Sequence, residues 1–109
     1  MTVKAIVETP LGHRVRLTLE RWSHIVRQHP PMIEHQDEVL EALRSPEKAY
    51  RGPRNEIALL RRGLVLGGEE LYVVVYYRPL DEDAFVLTAH PISWRRAQRK
   101  FRKWREVMP

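Results

Sequence analysis

The sequence predicts an α+β domain, and three observations carry that reading. Runs of alternating, β-branched or aromatic residues at 3–8, 13–19, 56–60, 71–77 and 84–89 have the marks of strands. Two stretches between residues 19 and 44 repeat their apolar residues at helical spacing. A last amphipathic stretch, dense in Lys and Arg, follows residue 93. The order is strands, two helices, a strand meander and a helix. It predicts N-terminal strands and two helices, a four-stranded antiparallel sheet and a C-terminal basic amphipathic helix, all in one domain over 1–109.

Val15, Leu17 and Leu19 alternate with Arg14, Arg16 and Thr18, the period of a half-buried strand. Thr18 or a neighbour can cap the next helix. Trp22, Ile25, Val26 and His29 then share one helical face. Pro30-Pro31 ends that helix, because the residue before a proline is driven out of the α region. The second helix runs from about Glu34 to Arg44, with Gln36, Val39, Leu40 and Leu43 on one side and Ser45-Pro46 as its stop. Glu56–Leu60 is the next strand, and Gly63–Leu66 either continues it or bends it. Gly67-Gly68 reads as a hairpin turn. Leu71–Tyr77 is β-branched or aromatic almost throughout, the pattern of a central strand buried on both faces. Asp81-Glu82-Asp83 is the next turn and Ala84–Ala89 the last strand. Ser93 caps the final helix, whose stripe is Trp94, Ala97, Phe101, Trp104 and Met108.

The chain has no cysteine, which excludes disulfides and thiolate metal sites. Its longest apolar run is too short to span a bilayer, and the N-terminus has no signal-like stretch. The expectation is a cytoplasmic protein with no membrane partner. Residues 93–109 carry seven Lys/Arg against one Asp/Glu, whereas the preceding 92 residues carry twelve against thirteen. A basic excess this localised is the footprint of a polyanion partner, or simply a solvated helix face.

Histidine carries protons near neutral pH, so the histidines are the first candidates. His24 and His29 are five apart, about 140° on a helix. Zinc-binding histidines on one helix sit four apart, so no metal site and no cofactor are expected. His29 lies on the apolar face at a helix C-terminus, as either a packed cap or a functional group. His24 lies on the polar face. His90 ends a strand before Pro91, and Thr88 stands two residues earlier on the same side. Arg61, Arg62, Tyr77 and Arg78 flank the meander. Arginine grips phosphate bidentately and tyrosine stacks on bases, though strand decoration accounts for them equally. On the basic helix, Arg95, Arg96, Arg99, Lys100, Arg102 and Lys103 are the candidate backbone contacts.

Three strings carry a family resemblance: Glu20-Arg21-Trp22-x-His24-Ile25-x-x-x-His29-Pro30, Leu43-x-x-Pro46 after a helix, and Phe85-Val86-x-Thr88-Ala89-His90-Pro91. Over residues 14–92 the chain resembles the phage and mobile-element branch of the barnase, EndoU, colicin and RelE-like nuclease superfamily. The resemblance implies a helical N-terminal part, a four-stranded antiparallel sheet and metal-independent ribonuclease activity, often in toxins or phage-associated effectors. Position by position it points to His24, His29 and Thr88. His90 stands where relatives usually have tyrosine after Thr-Ala. The resulting expectation is a small endoribonuclease that cleaves RNA by attack of the 2′-hydroxyl. His24 or His29 with His90 would be the acid–base pair, Arg78 with Arg61 or Arg62 the phosphate clamp, and Thr88 the orienting group. The alternative is a non-catalytic module of the same fold that binds nucleic acid or an acidic, antitoxin-like protein.

Overall fold

The computed structural model describes residues 1–81 and 83–108; Glu82, in the expected Asp81–Asp83 turn, lies outside them. The elements are β1 (Val3–Glu8), β2 (Arg14–Thr18), α1 (Leu19–Gln28), a 3-10 turn (Pro30–Glu34), α2 (Gln36–Arg44), β3 (Lys48–Arg51), β4 (Ile57–Leu66), β5 (Glu69–Leu80), β6 (Asp83–Ile92), α3 (Trp94–Lys100) and β7 (Arg105–Glu106). The protein is α+β. Its sheet is larger than the expected four strands: among the described residues seven strands pair in the order β1-β2-β6-β5-β4-β3-β7. Strands β3 to β6 do pair antiparallel in sequence, but β2 joins β6 in parallel and makes the sheet mixed.

Local chemistry sets the boundaries. The Thr18 hydroxyl accepts from the Arg21 N–H at 3.1 Å and starts α1. Its first-turn Glu20 and last-turn Arg27 suit the helix dipole. Pro30 ends α1 and, with its fixed φ, opens the 3-10 turn. Gly67 and Gly68, at φ +56° and +78°, make the two-residue hairpin turn between β4 and β5, which needs positive φ at both positions. Gly63, at φ +111°, carries a bulge, so β4 continues through Gly63–Leu66.

The two faces of the sheet are covered unequally. On one face α1 and α2 bury a large aliphatic core that includes Leu17, Ile25, Val39, Leu43, Leu59 and Val75. Burying one such side chain contributes roughly 1.5–3 kcal/mol. On the other face Ala58, Leu60, Val74, Tyr76 and Ile92 pack under Ala97 and Phe101. Strand β5 contributes to both cores, as its unbroken apolar run requires.

The C-terminal helix is much shorter than the expected 93–105. Ser93 caps it as expected, accepting from the Arg96 N–H at 3.2 Å. After Lys100 a turn closes from the Trp104 N–H to the Phe101 carbonyl at 3.0 Å, and β7 then pairs with β3. Trp94, Ala97, Phe101 and Trp104 do face the sheet together, but Met108 packs on the opposite core. Among the described residues no helix is long and apolar enough to cross a membrane.

Candidate functional site

Parallel pairing of β2 with β6 covers only Arg14–Arg16 against Asp83–Phe85. Beyond Phe85, β6 loses that partner, and α1 packs beside it. From Leu19 to His29 a helix rises about 15 Å, and five strand residues after Phe85 advance about 17 Å. The end of α1 therefore comes level with His90. The rings of His29 and His90 lie 5.6 Å apart between centroids, tilted 36°.

His90 is held firmly. Its Nδ1 lies 2.9 Å from the Pro91 carbonyl, which can only accept, so Nδ1 carries the proton. Its Nε2 lies 3.0 Å from the Tyr76 hydroxyl, which donates to it when the ring is neutral. Burial holds His90 below the usual histidine range; the Pro91 hydrogen bond opposes that shift, and the charges of Lys100 and His29 reinforce it. Burial also pushes the Tyr76 phenol well above its ordinary value, so it remains a hydroxyl.

Both histidines line an open groove of about 720 Å³. Its other wall is α3, which presents Arg96, Arg99 and Lys100 at i, i+3 and i+4. The Lys100 ammonium sits 6.0 Å over the Tyr76 ring. The groove thus gathers two neighbouring imidazoles and three cations along one lining, a setting that favours an anionic group. Among the described residues no cluster of three or more His, Asp or Glu side chains is placed to hold a metal ion.

The remaining sequence candidates are dispersed. His24 lines a separate depression beside Leu19, Glu20 and Arg27, as its helical offset from His29 dictates. Thr88 pairs with Tyr76 on the groove side of the sheet but does not line the groove. Arg78 stands four residues beyond Val74, the strand partner of His90, or about 14 Å along β5. It donates to the Arg54 carbonyl at 3.1 Å and faces Glu56 at 3.8 Å, so the expected phosphate clamp is not formed there. Arg61 donates to the Ser45 carbonyl at 2.7 Å, and Arg62 lies over the Tyr72 ring at 5.7 Å. Tyr77, expected as a nucleic-acid contact, is fully buried under the helices and bonds Thr9 and His13, so no base can reach it. Arg95, Arg102 and Lys103 are exposed around α3 but outside the groove lining.

Tyr76 was not singled out from the sequence. Its signal was alternation: once β5 and β6 are antiparallel neighbours, the tyrosine of the pair on the His90 side becomes a candidate. No protein-family model, curated protein or solved structure matches this chain.

Proposed function

We propose that the protein is a metal-independent endoribonuclease centred on His29 and His90. The approach of the two imidazoles in a cation-lined groove carries this reading. The resemblance of residues 14–92 to the barnase, EndoU, colicin and RelE-like superfamily supports it, and points to a toxin or phage-associated effector. In the proposed reaction the RNA 2′-oxygen attacks the adjacent phosphorus, the bond to the 5′-oxygen breaks, and a 2′,3′-cyclic phosphate remains. One histidine takes the 2′-hydroxyl proton and the other protonates the departing 5′-oxygen. His90 is held neutral, so it suits the base; substrate then replaces the Tyr76 hydroxyl at Nε2. Arg96, Arg99 and Lys100 offset the charge that builds on the phosphoryl oxygens.

The test is incubation of purified protein with mixed RNA, with and without EDTA, followed by end-group analysis. Cleavage with cyclic-phosphate ends, reduced about 10²–10⁴-fold by His29→Ala or His90→Ala, is expected. No cleavage, or cleavage that neither substitution changes, would overturn the proposal.

One observation favours a second reading. Both ring nitrogens of His90 are already hydrogen-bonded, which suits a rigid binding surface. The protein would then hold RNA, or an acidic antitoxin-like partner, without turnover. RNA affinity that falls steeply with salt, unaccompanied by product, would favour it.

A further inference from the structure

A second groove lies on the same side of the sheet, across α3 from the first. It has a volume of about 470 Å³, and its sides are the rings of Trp94 and Trp104 over Tyr50 and Phe101. Tyr50 stacks on Phe101 at 5.1 Å with the rings 6° from parallel, and Trp104 meets Phe101 edge-on at 4.9 Å. Trp104 is wedged against Gly52, where an added Cβ would lie 2.9 Å from its ring. Polar groups stand at the rim: Gln98 and Glu106, both exposed, with the cations Lys48 and Arg102.

We infer that this aromatic groove is a nucleobase subsite for single-stranded RNA, with the strand saddling α3. The inference rests on the RNA reading of the histidine groove and adds a second subsite to it. Planar rings stack on any base face, while an amide and a carboxylate at the rim can read the base edge. Phe101 is buried beneath the others, so the rings a ligand can meet are Tyr50, Trp94 and Trp104. An aliphatic ligand would leave Gln98 and Glu106 without a purpose, and an acidic peptide would have no need of three rings. The two grooves are separated by one helix, about 10 Å across. The ridge between them carries Arg95, Arg99, Arg102 and Lys103, with no acid from Trp94 to Lys103. A backbone crossing that ridge would put a phosphate beside His29 and His90 and a neighbouring base between the tryptophans. The strand must be single, because a base in a duplex has both faces stacked already. Lys48, whose ammonium caps the Trp94 ring at 5.6 Å, swings out to the adjoining phosphate as the base enters. Glu106 only accepts hydrogen bonds, and the exocyclic amines of adenine and cytosine can donate to it. The N3–H of uracil stands between two carbonyl oxygens that repel a carboxylate, so the subsite prefers bases with an exocyclic amine over uracil.

The probes are non-cleavable 2′-O-methyl hexamers of adenine, cytosine or uracil, with inorganic polyphosphate of equal charge as control. The readout is tryptophan fluorescence at fixed salt. The adenine and cytosine oligomers should quench, several-fold more tightly than uracil, and polyphosphate should not. Trp94→Ala should weaken adenine binding about 5- to 150-fold, the range for one stacked base. Should that variant fail to fold, Gln98→Ala and Glu106→Ala alter exposed groups only, and Glu106→Ala should erase the preference over uracil. Equal quenching by polyphosphate, or a preference untouched by both rim variants, overturns the inference. The same titrations on His90→Ala keep the two claims apart. Base-dependent quenching without wild-type cleavage sinks the nuclease reading alone, and cleavage without such quenching sinks the subsite alone.

Discussion

Two adjacent tyrosines on β5 each hold a histidine, on opposite faces of the sheet. Tyr77 bonds His13 Nδ1 at 2.8 Å under the helices, and Tyr76 bonds His90 Nε2 at 3.0 Å on the thinly covered face. Burial holds both histidines below their usual range. The pairs differ in what surrounds them. The Tyr77 hydroxyl also meets Thr9 at 3.2 Å, with Tyr77 and Thr9 buried and His13 half-buried at the edge of the aliphatic core. The Tyr76 pair opens on a groove that adds a second imidazole and three cations. A tyrosine–histidine pair is therefore not a site in itself; a second proton carrier and a means of holding the anion make it one.

This comparison can be broken most directly by paired substitutions. His90→Ala should lower initial rates of RNA cleavage about 10²–10⁴-fold, while His13→Ala leaves them unchanged; equal losses would erase the distinction. Gly52→Ala should cost about 1–3 kcal/mol in urea denaturation, as overpacking does. It presses on Glu56 and Trp104, so fluorescence should report Trp104 moving while the Tyr77 side stays intact. Tyr77→Phe should cost about 1–2 kcal/mol by removing the hydroxyl's bonds to Thr9 and His13, with no change in cleavage. Tyr76→Phe should instead shift the pH dependence of cleavage.

The smallest expected effect is on stability against pH. Both histidines have folded values below their unfolded value of 6.5. Below that value the unfolded chain binds more protons than the folded one. Stability is thus complete above pH 6.5 and falls as the pH drops through the folded values. Urea midpoints measured between pH 8 and pH 5 should show this fall, and His13→Gln and His90→Gln should each flatten it.

Much of the fold could be read from the chain, because its signals are local. The Thr18 and Ser93 caps, the Gly67-Gly68 turn and the doubly buried β5 follow from single residues or short periods. Strand β3 has four residues and one fully buried side chain, Ala49, so no alternation announces it. The β2–β6 pairing joins residues nearly seventy apart and leaves no local mark. The length of α3 misled for a physical reason. Phe101 and Trp104 keep the helical spacing because a turn, not a helix, lays them on the same face. His29 and His90 were legible as separate marks, while their meeting depended on α1 running level with the stretch of β6 that β2 does not reach. Which of Tyr76 and Tyr77 would face the groove depended on which side α3 covered.

The composition of α3 has one more consequence. Arg95 and Arg99, Arg96 and Arg99, and Arg96 and Lys100 are like charges at three- and four-residue spacing, with no acid among them. Each such pair opposes the helix by about 0.2–0.5 kcal/mol, and seven residues are too few to form a stable helix alone. Counterions are thus part of what keeps this segment folded. In dilute buffer α3 should be the first element to open in hydrogen exchange, and added salt or polyphosphate should raise the melting temperature.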